Sequence, residues 1–175
     1  MSLKRSSPPP APRRYAMDEA MSVARQATRD ITAWLWSRPE TVDVHNVENE
    51  DTYRTIDVDL LWVTQKACYQ VEIKGDRWDK TGNVFLETHS NVEKGTPGCF
   101  LYTEADLLFY YFVHPKTLYI FPMPETRVWF VPRKNQYRVS ETQTPVGNRQ
   151  YTTRGRLVPL DDLRKAGLIR WKAQL

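Results

Sequence analysis

The pattern of apolar positions near the N-terminus predicts one amphipathic helix. Between Met17 and about Trp36, apolar residues recur at spacings of three and four, as in Ala20, Ala24, Ala27, Ile31 and Leu35. This spacing places the apolar side chains on one face of a helix, and that face packs on the core. The pair Arg38-Pro39 ends the pattern, because proline disfavours helical backbone in the residue before it.

Two runs further along the chain predict a β-hairpin. They extend from Arg54 to Val63 and from Ala67 to Lys74, and the polar triplet Thr64-Gln65-Lys66 separates them. A short polar connection between two strand-like runs is typical of a hairpin loop. Alternate residues of a strand point to the same face. Asp57 and Asp59 should therefore share one face of the first strand.

The second strand of this hairpin should present a carboxylate and an ammonium together. Glu72 and Lys74 are two residues apart, which puts them on one face about 6.6 Å apart along the strand, while Ile73 faces the core. An antiparallel neighbour would bring Asp57 or Asp59 within reach of Glu72.

The other elements predict a mixed α/β fold. The continuous apolar runs 107–113 and 117–121 favour a buried hairpin, and the segment 142–156 is polar and weakly patterned. Further strands are expected over 41–45, 84–88, 127–131 and 136–139, a polar loop over 75–83, a helical turn over 104–106 capped by Thr103, and a closing helix over 161–165. We expect a central sheet that is not all parallel, with an N-terminal helix and short flanking helices.

Composition bounds the domain organisation. The chain of 175 residues has 41% hydrophobic and 12% aromatic residues, enough for one domain over 17–175. Residues 1–16 are basic and proline-rich and are expected to form a disordered tail. The sequence has neither a long apolar run nor a signal-peptide pattern, so we expect a cytoplasmic protein without a membrane anchor.

The cysteines and histidines offer little chemistry. Cys68 and Cys99 have no metal-binding spacing and are interpreted as ordinary thiols. The three histidines, His45, His89 and His114, are scattered, which argues against a zinc site.

The net charge of +4 is unevenly distributed. Residues 1–16 carry +4, residues 17–126 carry 10 basic and 18 acidic side chains, and residues 127–175 carry 11 basic and 3 acidic ones. The middle part is thus acidic, and a basic C-terminal extension begins at about residue 127. Carboxylates that recruit cations, flanked by bases that contact a polyanion, would give this arrangement. A solvated basic face would give the same count.

The acidic hairpin has the chemistry of a metal site. Converging carboxylates repel each other unless a cation lies between them, and hard oxygen ligands favour Mg²⁺, Mn²⁺ or Ca²⁺. A neighbouring lysine can hold a phosphate oxygen or a water. The alternative interpretation is a set of exposed charges on a solvated sheet face.

The helix, the aspartate strand and the strand Val71-Glu72-Ile73-Lys74 together resemble the PD-(D/E)xK nuclease superfamily. The later segments Gly75-Asp76, Thr81-Gly82-Asn83, Phe85-Leu86-Glu87 and Thr103-Glu104-Ala105-Asp106 resemble small phage-type members, so the resemblance covers about residues 17–122. It implies a restriction-endonuclease-like fold and a Mg²⁺-dependent DNA endonuclease, with Mn²⁺ as a substitute. No proline precedes Asp57 or Asp59, so the chain lacks the Pro-Asp pair of the family's motif.

The resemblance also implies roles for individual residues. Asp59, Glu72 and Lys74 would be catalytic, and Asp59, Glu72 and the main-chain carbonyl of Ile73 would bind the metal. Asp57 is the alternative aspartate ligand. Residues that could support the site are Asp57, Gln70, Glu87 and Glu19.

The expected partner is DNA. Candidate nucleic-acid contacts are Arg77, Trp78, Lys80, Arg133 and Lys134. A homodimer is a candidate assembly, because cutting both strands usually requires two active sites. Two alternatives stay open: a non-catalytic nucleic-acid-binding module of the same fold, and a structural or interaction protein.

Overall fold

The computed structural model describes residues 13–14, 17–146 and 149–175. Of the predicted tail, Arg13–Arg14 form a short strand, and the rest lies outside the described residues. In the described part of the chain, no helix has the length and apolar character needed to cross a membrane.

The chain alternates helices and strands in a mixed α/β order. In chain order the elements are β1 (Arg13–Arg14), α1 (Met17–Trp36), β2 (Thr41–Asn46), α2 (Asp51–Thr55), β3 (Leu60–Thr64), β4 (Cys68–Asp76), a 3-10 helix (Asp79–Thr81), β5 (Asn83–Asn91), β6 (Thr96–Pro97), α3 (Cys99–Tyr102), β7 (Leu107–Phe112), β8 (Thr117–Pro122), α4 (Met123–Phe130), a second 3-10 helix (Val131–Gln136), β9 (Arg138–Val146), β10 (Arg149–Pro159), α5 (Leu160–Lys165) and β11 (Trp171–Gln174).

The described strands form two sheets. One has six strands in the order β11-β8-β7-β4-β3-β2, and the other has five in the order β1-β9-β10-β5-β6. Within the six-stranded sheet, β4 and β7 run parallel, and the other neighbours are antiparallel. The six-stranded sheet is therefore mixed, as the sequence predicts.

Each face of the six-stranded sheet packs on a different layer. One face joins Ala27, Ile31 and Leu35 of α1 in a buried cluster. The opposite face forms a second cluster with the five-stranded sheet, which includes Leu86 of β5 and Val158 of β10. Because β7 lies between both layers, all six of its side chains are buried.

Several predictions from periodicity are confirmed. The helix over 17–36 has the predicted bounds, the buried hairpin is present as β7 and β8, and the closing helix is α5. The apolar pattern is continuous over α1 and the hairpin, whereas α5 is predictable from the acids in its first turn and the bases in its last turn.

The first strand of the predicted acidic hairpin is wrong in its N-terminal half. Residues 51–55 form α2, where Arg54 pairs with Asp51, and the strand begins only at Leu60. Asp57 has a φ of 56°, in the left-handed region, so Asp57 and Asp59 do not follow strand alternation. Aspartate tolerates this conformation better than most residues.

Two further predictions are wrong, and one segment for which no element was predicted forms a hairpin. The segment 127–131 is expected to be a strand, but most of it lies in α4. The buried residues of α4 are Met123, Thr126 and Phe130, which are three and four apart, as on one face of a helix. The weakly patterned 142–156 lies in the hairpin of β9 and β10, whose backbone pairing does not require an apolar pattern. Thr103 does not cap a helix over 104–106 but follows α3, and its hydroxyl donates to the carbonyl of Asp57 at 2.7 Å.

Two polar regions are more ordered than predicted. β4 continues through Asp76 into the predicted loop 75–83, which also holds the first 3-10 helix. The basic part from residue 127 onward supplies β10 to one sheet and β11 to the other.

Candidate metal centre

The centre is built on the C-terminal half of β4, which is buried at Glu72 and partly buried beyond it. Glu72 is paired in register with Leu108 of β7, and Lys74 with Tyr110, so both side chains lie on the face that packs towards the five-stranded sheet. Glu72 is only 6% exposed, whereas the Lys74 side chain is 33% exposed. β4 therefore points a buried carboxylate and a half-buried ammonium into the space between the two sheets.

The position of α1 also fixes this part of β4. A Cβ atom at Gly75 would lie 3.1 Å from Ala27 Cβ and from Val23 Cγ1. Glycine therefore allows the helix to pack closely on the strand at the residue that follows Lys74.

The loop before β3 supplies two aspartates. The amide of Asp59 donates to the carbonyl of Val71 at 2.9 Å, and its carboxylate Oδ2 accepts from the amide of Ile73 at 2.8 Å. This carboxylate continues the pairing of β4 beyond the point where β3 begins. Asp57 is held differently, because its carbonyl accepts the Thr103 hydroxyl.

The short helix α3 brings Cys99 to the same place. The backbone amide of Cys99 donates to Glu87 Oε1 at 3.4 Å. A Cβ atom at the preceding Gly98 would lie 2.7 Å from the backbone of Glu87. This close approach between the start of α3 and β5 requires glycine, and it sets the position of Cys99.

Lys74 connects these elements. Its Nζ donates to Cys99 Sγ at 3.7 Å and lies 3.6 Å from Glu87 Oε2. Glu72, Lys74, Glu87 and Cys99 all line a cavity of about 10 Å³, which is about the space for one water-sized sphere.

Three atoms capable of binding a metal converge here. A carboxylate oxygen of Asp57, a carboxylate oxygen of Glu72 and Cys99 Sγ all lie within 4.8 Å of one another. Asp57 Oδ2 and Glu72 Oε2 are buried and have no hydrogen-bond partner among the described residues. A buried carboxylate oxygen without a partner is costly, and a cation between the two would offset that cost. The donor set therefore fits a divalent ion.

Burial opposes ionisation of the three carboxylic acids. It raises the pKa of Glu72 well above its ordinary value, and the neighbouring charges of Asp59 and Asp57 raise it further. Burial also raises the pKa of Asp57 and of Asp59, while Lys74 lowers the pKa of Asp57 and the Ile73 amide lowers that of Asp59. A bound cation would favour the ionised forms.

Lys74 remains charged in this environment. Cys99, and then the carboxylates of Glu87, Glu72 and Asp57, raise the pKa of the Lys74 ammonium well above its ordinary value, although burial acts in the opposite direction. Lys74 can therefore stabilise negative charge at neutral pH but cannot act as a base.

The supporting residues of the sequence prediction are only partly assembled. Glu87 lies at the centre, next to Lys74. Gln70 lies two residues before Glu72 on β4, and the backbone amide of Gln70 donates to Asp106 Oδ2 at 2.8 Å. The side chain of Glu19 lies outside the described residues. Ile73 directs its amide to Asp59, and the carbonyl of a strand residue points to the same side as its amide. The Ile73 carbonyl is therefore directed to the Asp59 edge.

The candidate nucleic-acid contacts lie in two separate elements. Arg77 and Trp78 follow β4 directly, and the Trp78 amide donates to Asp76 Oδ1 at 2.8 Å. Lys80 lies in the first 3-10 helix and is exposed. Arg133 and Lys134 lie in the second 3-10 helix, where Arg133 stacks 5.4 Å from the Trp129 ring. Arg77, Trp78 and Lys80 therefore follow β4, the strand that carries Glu72 and Lys74, directly in the sequence.

Two residues of the centre are not among those predicted from the sequence. Cys99 is one, and Tyr102 of α3 is the other. Burial, and then the charges of Asp57 and Cys99, raise the pKa of Tyr102 to about 12, although the residue is 42% exposed. Neither residue has a periodic relation to Glu72, and a metal-ligand spacing that includes Cys99 would be the only sequence signal for it.

A larger cavity, of about 320 Å³, lies by the cluster that packs on α1, between Trp62, Tyr69 and Trp171. Within the described chain, its lining includes none of the predicted site residues. The converging acids and not this cavity therefore define the candidate centre.

Neither a protein-family model nor a curated protein nor a solved structure matches this chain. The function must therefore be argued from the residues of the centre.

Proposed function

We propose that the protein is a divalent-metal-dependent endonuclease of the PD-(D/E)xK type that hydrolyses DNA phosphodiester bonds. One observation carries the proposal: a carboxylate oxygen of the buried Glu72 lies within 4.8 Å of one of Asp57, and each side chain has a buried oxygen without a hydrogen-bond partner among the described residues. Lys74, two residues from Glu72, adds the ammonium that the chemistry requires.

Asp57 and Glu72 would hold the ion, which we take to be Mg²⁺, with Mn²⁺ as a substitute. The sequence prediction named Asp59 as the aspartate ligand, but Asp59 already uses Oδ2 to accept the Ile73 amide. Its side chain also hydrogen-bonds with that of Glu72, so Asp59 lies beside the ion and Asp57 is the aspartate we propose as its ligand. When bound, the ion supplies Lewis-acid stabilisation of phosphate charge and lowers the pKa of a water.

The chain itself contributes charge and position to the reaction. Water would attack the phosphorus and release a proton to solvent, the bond to the leaving sugar oxygen would break, and that oxygen would take a proton from solvent, which gives a phosphomonoester and a free hydroxyl. Lys74, which stays protonated, stabilises the added negative charge on the transferring phosphoryl group. Asp59 fixes the edge of β4 and so keeps Glu72 and Lys74 in register.

The substrate is inferred from charge and from the type of centre. A polyanion must approach a region that is acidic in its own right, and basic side chains next to it supply the compensating charge. Arg77 and Lys80 follow the catalytic strand, and Trp78 can stack on a base. A mixed sheet with α1 on one face and the acids on the other supports a restriction-endonuclease-like fold. The homodimer and the cytoplasmic location stay predictions from the sequence.

Cleavage of a mixed panel of DNA tests the proposal. Linear, nicked, single-stranded and branched substrates are incubated with Mg²⁺, Mn²⁺ or EDTA, using wild type beside Glu72→Gln and the exposed control Glu48→Gln. We expect cutting that requires the metal, that Glu72→Gln abolishes and that Glu48→Gln leaves unchanged.

Two other results would change the assignment. Salt-sensitive DNA binding without any cutting would favour the non-catalytic module. If the wild type neither cuts nor binds DNA, and binds no divalent ion, the nuclease assignment is wrong and an interaction protein is favoured.

A further inference from the structure

We propose that Cys99 is a third ligand, beside Asp57 and Glu72, when the centre holds a sulfur-accepting divalent ion such as Co²⁺ or Zn²⁺ in place of Mg²⁺. The inference rests on the proposed function, because it concerns the ion of the same centre. It adds a ligand and an ion preference that two carboxylates alone would not give.

The geometry places sulfur and oxygen around one point. The three candidate atoms lie within 4.8 Å of one another. An ion with ligand distances of about 2.0 to 2.3 Å joins atoms up to about 4.3 Å apart, so small side-chain movements complete the set.

A second observation is independent of this clustering. Glu72 is 94% buried, and its Oε2 lacks any hydrogen-bond partner in the described part of the protein. The same holds for Asp57 Oδ2. Native proteins rarely leave two buried carboxylate oxygens without partners, and an ion would satisfy both.

Burial, and then the carboxylates near the site, raise the pKa of the Cys99 thiol, while Lys74 lowers it, so a bound cation is what would make the thiolate favourable. The Lys74 ammonium donates to Cys99 Sγ, and the close packing of Gly98 on Glu87 restricts where the sulfur can lie. When the sulfur–metal bond forms, the thiol proton leaves to solvent, and Lys74 stabilises the negative sulfur that results. The sulfur thus has a nearby positive charge as well as a fixed position.

Ion preference follows from ligand type. Thiolate binds Co²⁺ and Zn²⁺ well, whereas Mg²⁺ takes oxygen ligands. Cys99→Ser should therefore weaken Co²⁺ binding by at least about tenfold. The same change should alter Mg²⁺ affinity by less than about threefold, because the two carboxylates remain.

Co²⁺ is the probe that reports the sulfur directly. A Co²⁺–thiolate bond gives a charge-transfer band in the near ultraviolet, which carboxylate ligands do not produce. The titration uses the full chain as wild type, Cys99→Ser and Cys68→Ser, with thermal unfolding to confirm that each variant is folded. Cys68 is exposed and provides the matched control.

We expect the band in wild type and in Cys68→Ser but not in Cys99→Ser. A wild type without the band, a band that disappears in Cys68→Ser, or one that persists in folded Cys99→Ser would overturn the inference. The first two results do so even if Cys99→Ser fails to fold.

The same samples separate this inference from the proposed function. Metal-dependent DNA cleavage without the band would leave the nuclease standing and remove Cys99 as a ligand. The band without cleavage would support Cys99 as a ligand and would count against the nuclease.

Discussion

The carboxylate of Asp59 accepts a hydrogen bond of 2.8 Å from the backbone amide of Ile73, while the carboxylate of Asp57 has an oxygen with no partner in the described chain. Two aspartates that are only two residues apart in the chain therefore have different surroundings. Asp59 completes the edge of a strand and hydrogen-bonds with Glu72, whereas Asp57 has an oxygen within 4.8 Å of both Glu72 and Cys99.

This difference predicts that substitution of Asp59 lowers stability, whereas substitution of Asp57 weakens ion binding. Asp59→Ala should lower the free energy of unfolding in EDTA by about 1 to 3 kcal/mol, because the buried Ile73 amide loses its acceptor. Asp57→Asn should change stability in EDTA little but should weaken divalent-ion binding by at least about tenfold. Chemical denaturation and calorimetric ion titration measure both effects. Equal loss of stability in both variants, with equal ion binding, would contradict these roles.

Glu72→Gln should stabilise the metal-free protein while it abolishes cleavage. Glutamine has nearly the same shape and removes a charge that burial and two neighbouring aspartates disfavour. We expect a gain of about 1 kcal/mol in the free energy of unfolding at neutral pH in EDTA. The exposed Glu48→Gln serves as control and should not change stability. A loss of stability in Glu72→Gln would mean that the carboxylate has a partner we have not identified.

The raised pKa of Glu72 also predicts how stability depends on pH. Between its ordinary value of 4.5 and its raised pKa, the folded protein holds a proton that the unfolded chain has released. Stability in EDTA should therefore fall as pH rises through this window, and Asp57 and Asp59 act in the same direction. Thermal unfolding of wild type against Glu72→Gln isolates the Glu72 contribution. We expect the difference between the two to grow with pH above 4.5 and to shrink when a divalent ion is added; a difference independent of pH would be inconsistent with the buried acid.

Gly98→Ala should displace Cys99. The added Cβ atom would lie 2.7 Å from backbone atoms of Glu87, so α3 or β5 must move. We expect a loss of about 1 to 3 kcal/mol in the free energy of unfolding and a weaker Co²⁺–thiolate band. Thr96→Ala, at an exposed position of the neighbouring β6, is the control. A fully stable Gly98→Ala with an unchanged band would show that the backbone there is not constrained.

Part of this architecture follows from local sequence, and part does not. The shared face of Glu72 and Lys74 is predictable because β4 keeps strand alternation through both residues. Helix α1 is predictable because its apolar spacing is unbroken. In contrast, the position of Asp57 depends on a left-handed residue and on a hydrogen bond from Thr103, which is 46 residues away.

Cys99 illustrates the same limit more strongly. It reaches Lys74, 25 residues earlier, only because Gly98 packs on the backbone of β5. No periodicity links those positions, and a single cysteine has no spacing to recognise. Contacts made by tertiary packing of short elements therefore have to be seen in the structure.

The rate of DNA cleavage by Lys74→Ala tests the central claim most directly. Lys74 contacts the centre through its ammonium and is partly exposed, so its loss should leave folding and DNA binding largely intact. Lys94→Ala, which removes an exposed lysine elsewhere, is the matched control. We predict that Lys74→Ala cuts at least about 100-fold more slowly than wild type at saturating Mg²⁺, with Lys94→Ala unaffected. Wild-type cleavage in a folded Lys74→Ala protein, with contaminating nucleases excluded, would contradict the assignment of this centre.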